Sequence, residues 1–529
     1  MRVNRWRQGY RLVRTLYVGG FLGVLSCAFT TLANDVTIPA DPKTKNDVSF
    51  YGKRAVGPSH DATNPKPSFI RRVIAPKIGP ETVIQISLAP IATPIEHLNN
   101  PNGVQKLTLS QLQPLADQPY PQTISLNISY PPPVNKELTH HKPEQPLKAP
   151  TPLSRNDKLL AKKAQHYFER NRRDSTALWD SVQGYPHTTL WDIGSGIAGT
   201  LALEALAMKT TEQTHFELQK LLITLQALPI YNQTLPNREY NTKTGKPSGK
   251  LSDTDSNGNG WSALDIGRLL IWLRILQEIH PEFAPDITAL LTLWQLDRAI
   301  HKGTLYGMKQ THRGQHYRQE GRNGYLQYAV EGFRLFGFDV PLPNLNRHLE
   351  IKNIQGYPIR TDRRNVPFLT SDPFILASLE YGLDRKWNQI ETIYQLHRDH
   401  SAQSHQLFSF AEDAMDKNPW FAYNNLYYYG KPWTSVSPSG KIIENPQVFS
   451  NKAAFGFSVL FEDDFSDELY NEVLKQSLLF RSIPTGIYAD GGSNGALNIN
   501  TNSLILVALW FKQRGGVPIC LNCQPIPLH

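Results

Sequence analysis

From Leu153 onward, apolar residues return every three or four positions, and the pattern predicts a succession of helices. Leu218, Leu221, Leu222 and Leu225 form one such stripe. The periodicity places helices at 155–171, 193–208, 212–227, 262–280, 283–300, 322–336, 373–382, 384–399, 451–461, 466–480 and 500–513. The connections are long and rich in Gly, Pro and Asn, as loops are. Strands do not alternate with helices, which argues against a parallel α/β sheet. The helices are too numerous for a simple bundle. Their number fits an all-α toroid of paired helices, whose inner members bring their loops to one face and form an acidic, aromatic cleft there.

The pattern before this region is different. Residues 34–156 hold 20 of the chain's 39 prolines, including Pro131, Pro132 and Pro133. Proline lacks an amide donor and interrupts helices and central strands, so the segment reads as a largely disordered spacer. A small proline-rich β module around Phe69 to Tyr130 is the alternative, because Val83 to Leu88 alternates and Thr123 to Ser129 suits a short strand. Ahead of the spacer, Arg2, Arg5, Arg7, Arg11 and Arg14 precede an uncharged stretch from Leu16 to Ala33. Thr31-Leu32-Ala33 resembles a signal-peptide cleavage site. Residues 1–33 therefore read as an export signal cut after Ala33. An uncleaved anchor and lipidation at Cys27 are the other readings. The expected location is the periplasm or the exterior of a bacterium, or the inner membrane facing the periplasm if the segment is retained. Membrane contact is expected only through this segment. The helical domain is expected at 157–516, with a tail at 517–529.

Composition narrows the chemistry. The net charge of +9 is scattered rather than gathered into an aromatic-laced basic stripe, which argues against nucleic-acid binding. The sixteen histidines are scattered along the chain, and zinc is not supported. No phosphate loop, dinucleotide fingerprint or nucleophile elbow occurs. Removal of the signal leaves two cysteines, Cys520 and Cys523, spaced to close a small disulfide loop in an oxidising compartment. No cofactor is expected. One calcium candidate exists: Asp253, Asp255 and Asn257 alternate before Gly258 like the first half of a calcium loop. Leu264 stands where the closing Glu would be, and a polar turn is the plainer reading.

Acids and aromatics recur just where helices begin. Glu320 precedes Gly321, Gly324 and Tyr325. Trp191 and Asp192 open one helical run, Trp261, Asp265 and Arg268 another, and Lys452 a third. Such a set suits a groove that grips a sugar chain. Glycoside cleavage needs a proton donor and a second carboxylate that activates water or attacks carbon. Glu320 is the expected acid, and its structural alternatives are a helix cap or a pair with Arg322. Asp192, Glu412 and Asp490 are candidates for the second carboxylate, as are Asp265 and Asp413. Asp192 and Asp265 also suit helix caps, and Asp265 a pair with Arg268. Trp191, Trp261, Tyr325, Trp420 and Tyr423 are candidate sugar-stacking rings. Asp265, Arg268, Lys452 and Asn502 are candidate polar contacts to an oligosaccharide or polysaccharide.

Seven segments form an ordered series: Trp191 to Ser195, Leu235 to Tyr240, Gly260 to Leu270, Gln319 to Tyr325, Asp372 to Leu376 with Glu380, Lys452 to Gly456, and Asn500 to Asn502. The series resembles the DUF3131 family of bacterial envelope proteins, itself similar to glycoamylase-like domains. The resemblance implies an (α/α)6 toroid, complete or incomplete. It implies more loosely an inverting glycoside hydrolase, or a non-catalytic glycan-binding or assembly protein on the same fold. Near the last helix the family tends to carry a Glu where this chain has Asp490, one methylene shorter.

Overall fold

The computed structural model describes residues 151–343, 345–363 and 369–526. The signal and residues 34–150 of the spacer lie outside the described residues; the end of the spacer, expected at 156, overlaps α1, which Ser154 caps and Arg155 begins. Eleven α-helices of four residues or more are described: α1 (Arg155–Asn171), α2 (Leu190–Ala205), α3 (Thr211–Ala227), α4 (Ala263–Ile279), α5 (Ala284–Thr292), α6 (Tyr325–Leu335), α7 (Asp372–Glu380), α8 (Ile390–Ser404), α9 (Asn451–Leu460), α10 (Asp464–Leu478) and α11 (Ile499–Gln513). None of them is long and apolar enough to cross a membrane.

Burial separates them into two rings. Helices α2, α4, α7 and α11 are buried almost all round, which is the signature of an inner position. With α6 and α9 they form a closed circuit, packing as α2–α4, α4–α6, α6–α7, α7–α9, α9–α11 and α11–α2. Glycine allows the closest of these crossings. A Cβ on Gly332 of α6 would stand 2.0 Å from the carbonyl oxygen of Gly267 on α4, and one on Gly267 would stand 2.4 Å from Ala329 O. Helices α1, α3, α5, α8 and α10 bury one stripe each and lie outside. Between α6 and α7 a hairpin, Leu349–Ile354 with Tyr357–Asp362, occupies the place of a sixth outer helix. Among the described residues the toroid therefore has six inner and five outer helices.

Three differences from the sequence reading have local causes. The all-α description does not cover three hairpins: Thr304–Thr311 with Gly314–Gln319, Leu349–Ile354 with Tyr357–Asp362, and Phe421–Tyr428 with Lys431–Val436. Two of these turn on residue pairs with positive φ, Gln355-Gly356 and Tyr429-Gly430, the backbone of a type I′ turn. The helix expected at 384–399 starts instead at Ile390, whose N–H is accepted by Asn388 Oδ1 at 3.0 Å. The helix expected at 283–300 ends at Thr292 and resumes as a short 3₁₀ turn at Leu296–Ala299.

The tail is not a separate appendage. Ile519 N donates to Leu379 O, Cys520 N to Glu380 O and Ile526 N to Leu335 O, so residues 519–526 run under the C-terminal ends of α6 and α7. Arg274 of α4 donates to Gln524 O at 3.0 Å. Cys520 is buried in the main core and joined to Cys523 by a disulfide.

Candidate functional site

The two ends of the ring are unequal. Connections from an inner helix to the next outer one are short at 206–210, 280–283 and 461–463, and longer at 336–348 and 381–389. Most connections into the N-termini of inner helices are long, spanning 172–189, 228–262, 293–324, 405–450 and 479–498. The N-terminal end therefore carries the loops, where binding residues concentrate. It also gathers unpaired helical N–H groups, which hold acids.

At the start of α2, Thr189 and Asp192 cap each other reciprocally. Asp192 Oδ2 also accepts from Ser181 Oγ at 2.8 Å, and its Oδ1 from Asn500 Nδ2 at 2.8 Å. Asn500 Oδ1 accepts from Ser195 Oγ at 2.7 Å, which stitches α11 to α2. Asp192 is thus both a cap and the anchor of two polar side chains. Those two, Ser181 and Asn500, line a narrow recess together with Asn498, Phe421 and Glu412.

Glu412 is positioned through its backbone. Its N–H donates to Asp372 Oδ2 at 2.9 Å, and its carbonyl accepts from Lys452 Nζ. Lys452 is buried and pairs with Asp372 at 2.7 Å and Asp413 at 3.4 Å. Burial opposes the charge on Lys452, but Asp372 and Asp413 outweigh it and hold its pKa above the ordinary value. Burial pushes Asp413 up to about 6, with Lys452 opposing the rise and Asp372 adding to it. Gln447 and Ser450 donate to Asp413 Oδ2.

The ring axis holds a second buried pair. Arg268 reaches Glu380 on α7 at 2.9 Å. Glu380 also accepts from Trp272 Nε1 at 3.1 Å and from Tyr328 OH. The Arg268 guanidinium lies 4.8 Å from the centre of the Trp191 ring, which meets Tyr325 edge-on at 5.7 Å. Burial, opposed by Arg268 and reinforced by Glu380, holds the Tyr328 phenol well above its ordinary pKa. These groups fill the ring, and Trp191 and Tyr325 are packing residues rather than exposed platforms.

Glu320 has both oxygens engaged. Oε1 pairs with Arg238 at 3.1 Å, and Oε2 accepts from Ala263 N at 2.7 Å. It caps α4 rather than the helix that follows it, and Arg322 donates to Gln319 and Gly321. Asp265 lies at the same helix start, its N–H capped by Ser262. Trp261 is buried and donates to Tyr306 O at 3.1 Å. Tyr423 is buried within a strand, and Trp420 is partly buried at the preceding turn. Asn502 bonds both backbone groups of Ile483, a loop-pinning role. Asp490 is exposed on a tight turn, bonded to Gly492 N and Asn445 Nδ2 rather than to the other acids. Asp253, Asp255 and Asn257 are exposed, and among the described residues no group of three His, Cys, Asp or Glu could hold a metal.

The ring therefore brings Asp192, Glu412 and Lys452 to one region, with Asp413 among them. Arg238, Asp372, Glu380, Tyr328 and Asn500 were not singled out as site residues by the sequence reading. Four of them stand inside the ordered series of segments, which was the available signal.

Residues 159–515 match the model of the family DUF3131, described as a protein of unknown function. No curated protein sequence matches the chain. Among solved structures, the endo-β-1,2-glucanase of Chitinophaga pinensis, in complex with sophorotriose and glucose, aligns with a TM-score of 0.52 over 70% of this chain and 95% of its own, at 12% identity. A Bacteroides fragilis protein provisionally assigned as a glucoamylase aligns with a TM-score of 0.52 over 70% of this chain and 96% of its own, at 12% identity. A similarly assigned Bacteroides caccae protein gives 0.51 over 70% and 94%, at 10% identity. At such identities the likeness establishes the glucoamylase-like toroid.

Proposed function

The chain belongs to the DUF3131 family, and from that premise we propose that it is an exported glycoside hydrolase acting on a polysaccharide, with its reaction centre at the recess between the starts of α2 and α11. The observation that carries this reading is the placement of Glu412. A buried Asp372–Lys452 pair grips its N–H and its carbonyl, which fixes the backbone of a residue that lines the recess. A fixed position is what proton transfer to a glycosidic oxygen requires. Ser181 and Asn500 supply hydroxyl and amide groups for sugar hydroxyls, and Asp192 behind them is the candidate second carboxylate. Glu320 ties the end of the Thr304–Gln319 hairpin to α4 by accepting from Ala263 N, and pairs with Arg238. The likeness to an endo-β-1,2-glucanase makes β-1,2-glucan the first substrate to try, with starch second.

One observation favours a second reading, a glycan-binding protein without turnover. Glu320, Glu380 and Asp372 are each engaged by a buried cation. Release of new reducing ends from a polysaccharide panel separates the two. The hydrolase reading expects turnover by the wild type and a fall of about two to four orders of magnitude in Glu412→Gln, at unchanged melting temperature. Glycan binding without any new reducing ends would establish the second reading.

A further inference from the structure

The Thr304–Thr311/Gly314–Gln319 hairpin carries a group of rings that has no part in the reaction centre. Tyr306 pairs with Gln319 and Tyr317 with Met308, which makes the two tyrosines diagonal neighbours on one face. Their ring centroids are 4.9 Å apart. His301 joins them, 4.8 Å from Tyr306 and 5.6 Å from Tyr317. Going inward, Tyr317 meets Trp261 at 6.2 Å and Trp261 meets Tyr231 at 6.0 Å. Tyr317 is 40% exposed although its hydroxyl is tied to Arg298 O at 2.8 Å, so the ring is held rather than free. His301 is exposed and Tyr306 half-buried. Gln310 and Gln315 border the rings through Tyr231.

A cross-strand tyrosine pair stabilises a hairpin, and that accounts for Tyr306 and Tyr317. It leaves unexplained why the rings continue to His301 on one side and Trp261 on the other. Fixed ring faces bordered by amides match a sugar, which offers C–H groups on its face and hydroxyls at its edge. The patch is continuous with the loop end of the ring, because Arg238 donates to both Trp261 O and Glu320 Oε1.

We propose that Tyr306, Tyr317 and His301 form an outlying subsite that stacks a glycan chain beyond the units held at the recess. The inference rests on the glycan reading of that end of the ring. The test compares soluble β-1,2-glucan polymer with sophorotriose, with starch as a second polymer, by calorimetric binding and by reducing-end release. Tyr317→Ala and Tyr306→Ala are each expected to weaken polymer binding roughly tenfold, the scale of one aromatic contact, and to leave binding and turnover of sophorotriose unchanged. Tyr317→Phe keeps the ring and is expected to bind polymer like the wild type. If Tyr317→Ala loses its cooperative melt, Tyr306→Ala carries the comparison. Wild-type polymer affinity in the alanine variants overturns the subsite while leaving the recess reading intact, and so does equal weakening toward long and short chains. A wild type that binds none of these glycans overturns both.

Discussion

Replacing Asp413 by Asn should change how stability depends on pH, and in a direction opposite to that of most salt-bridged acids. Asp413 is buried beside Asp372 and Lys452, and burial holds it at about 6 against an ordinary 3.8. Over the interval between those values the folded state binds more protons than the unfolded chain. Stability conferred by the protonated group is complete below about 4 and is lost as pH rises through about 6. The size follows from the displacement: about two pH units at roughly 1.4 kcal/mol each gives about 3 kcal/mol. Denaturant unfolding of wild type and Asp413→Asn, from pH 4.5 to 7.5, isolates it. The asparagine places an amide near Lys452 Nζ, which adds a constant offset, so the observable is the shape of the difference curve. The wild type should lose about 2–3 kcal/mol relative to the variant as pH rises across that range, then level off. A flat difference curve would refute the placement of Asp413 as a third, excess charge in the cluster. A curve of the opposite slope would mean that Lys452 dominates its titration.

Three further outcomes test other parts of the structure. Glu320→Ala should cost about 3–5 kcal/mol by leaving Arg238 buried without its partner, read from denaturant unfolding; a Glu320→Gln variant that melts normally yet loses two orders of turnover would return the acid role to Glu320. Gly267→Ala should destabilise by about 1–3 kcal/mol, because the new methyl meets Ala329 O at the α4–α6 crossing; an unchanged melt would show that the crossing can open. Chelation should leave the melting temperature unchanged if 253–257 is a polar turn, whereas a fall reversed by added calcium would establish a bound ion.

The helices were legible because each carries its own periodic stripe, and several carry their own start signal, such as Ser154 with Asp157 or Thr189 with Asp192. Helix α8 was displaced because Trp387 continued the apolar pattern backward, while Asn388, bonded to Phe374 O and Ser378, starts the helix later. The hairpins were signalled by Gln355-Gly356 and Tyr429-Gly430, but a search tuned to a period of 3.6 passes over alternation of two. At the site, local roles could be read and remote ones could not. The capping role of Asp192 lies within three residues of its partner. Glu320 pairs 82 positions away with Arg238, and Arg268 112 positions away with Glu380. No spacing rule reaches so far, and only the closed ring specifies those partners.

Around that ring, five of the six inner contacts join helices that follow one another along the chain. The sixth, α11 against α2, is a seam, and Ser195 and Asn500 bond across it over 305 positions. The recess lies on this seam, since Ser181 belongs to one side and Asn498 and Asn500 to the other. Every other pair can form early from neighbouring segments, but the seam bears the largest loop-closure entropy and awaits the last inner helix. An open ring would have most of its helices and none of its recess. Binding at the proposed site would therefore require the closed ring.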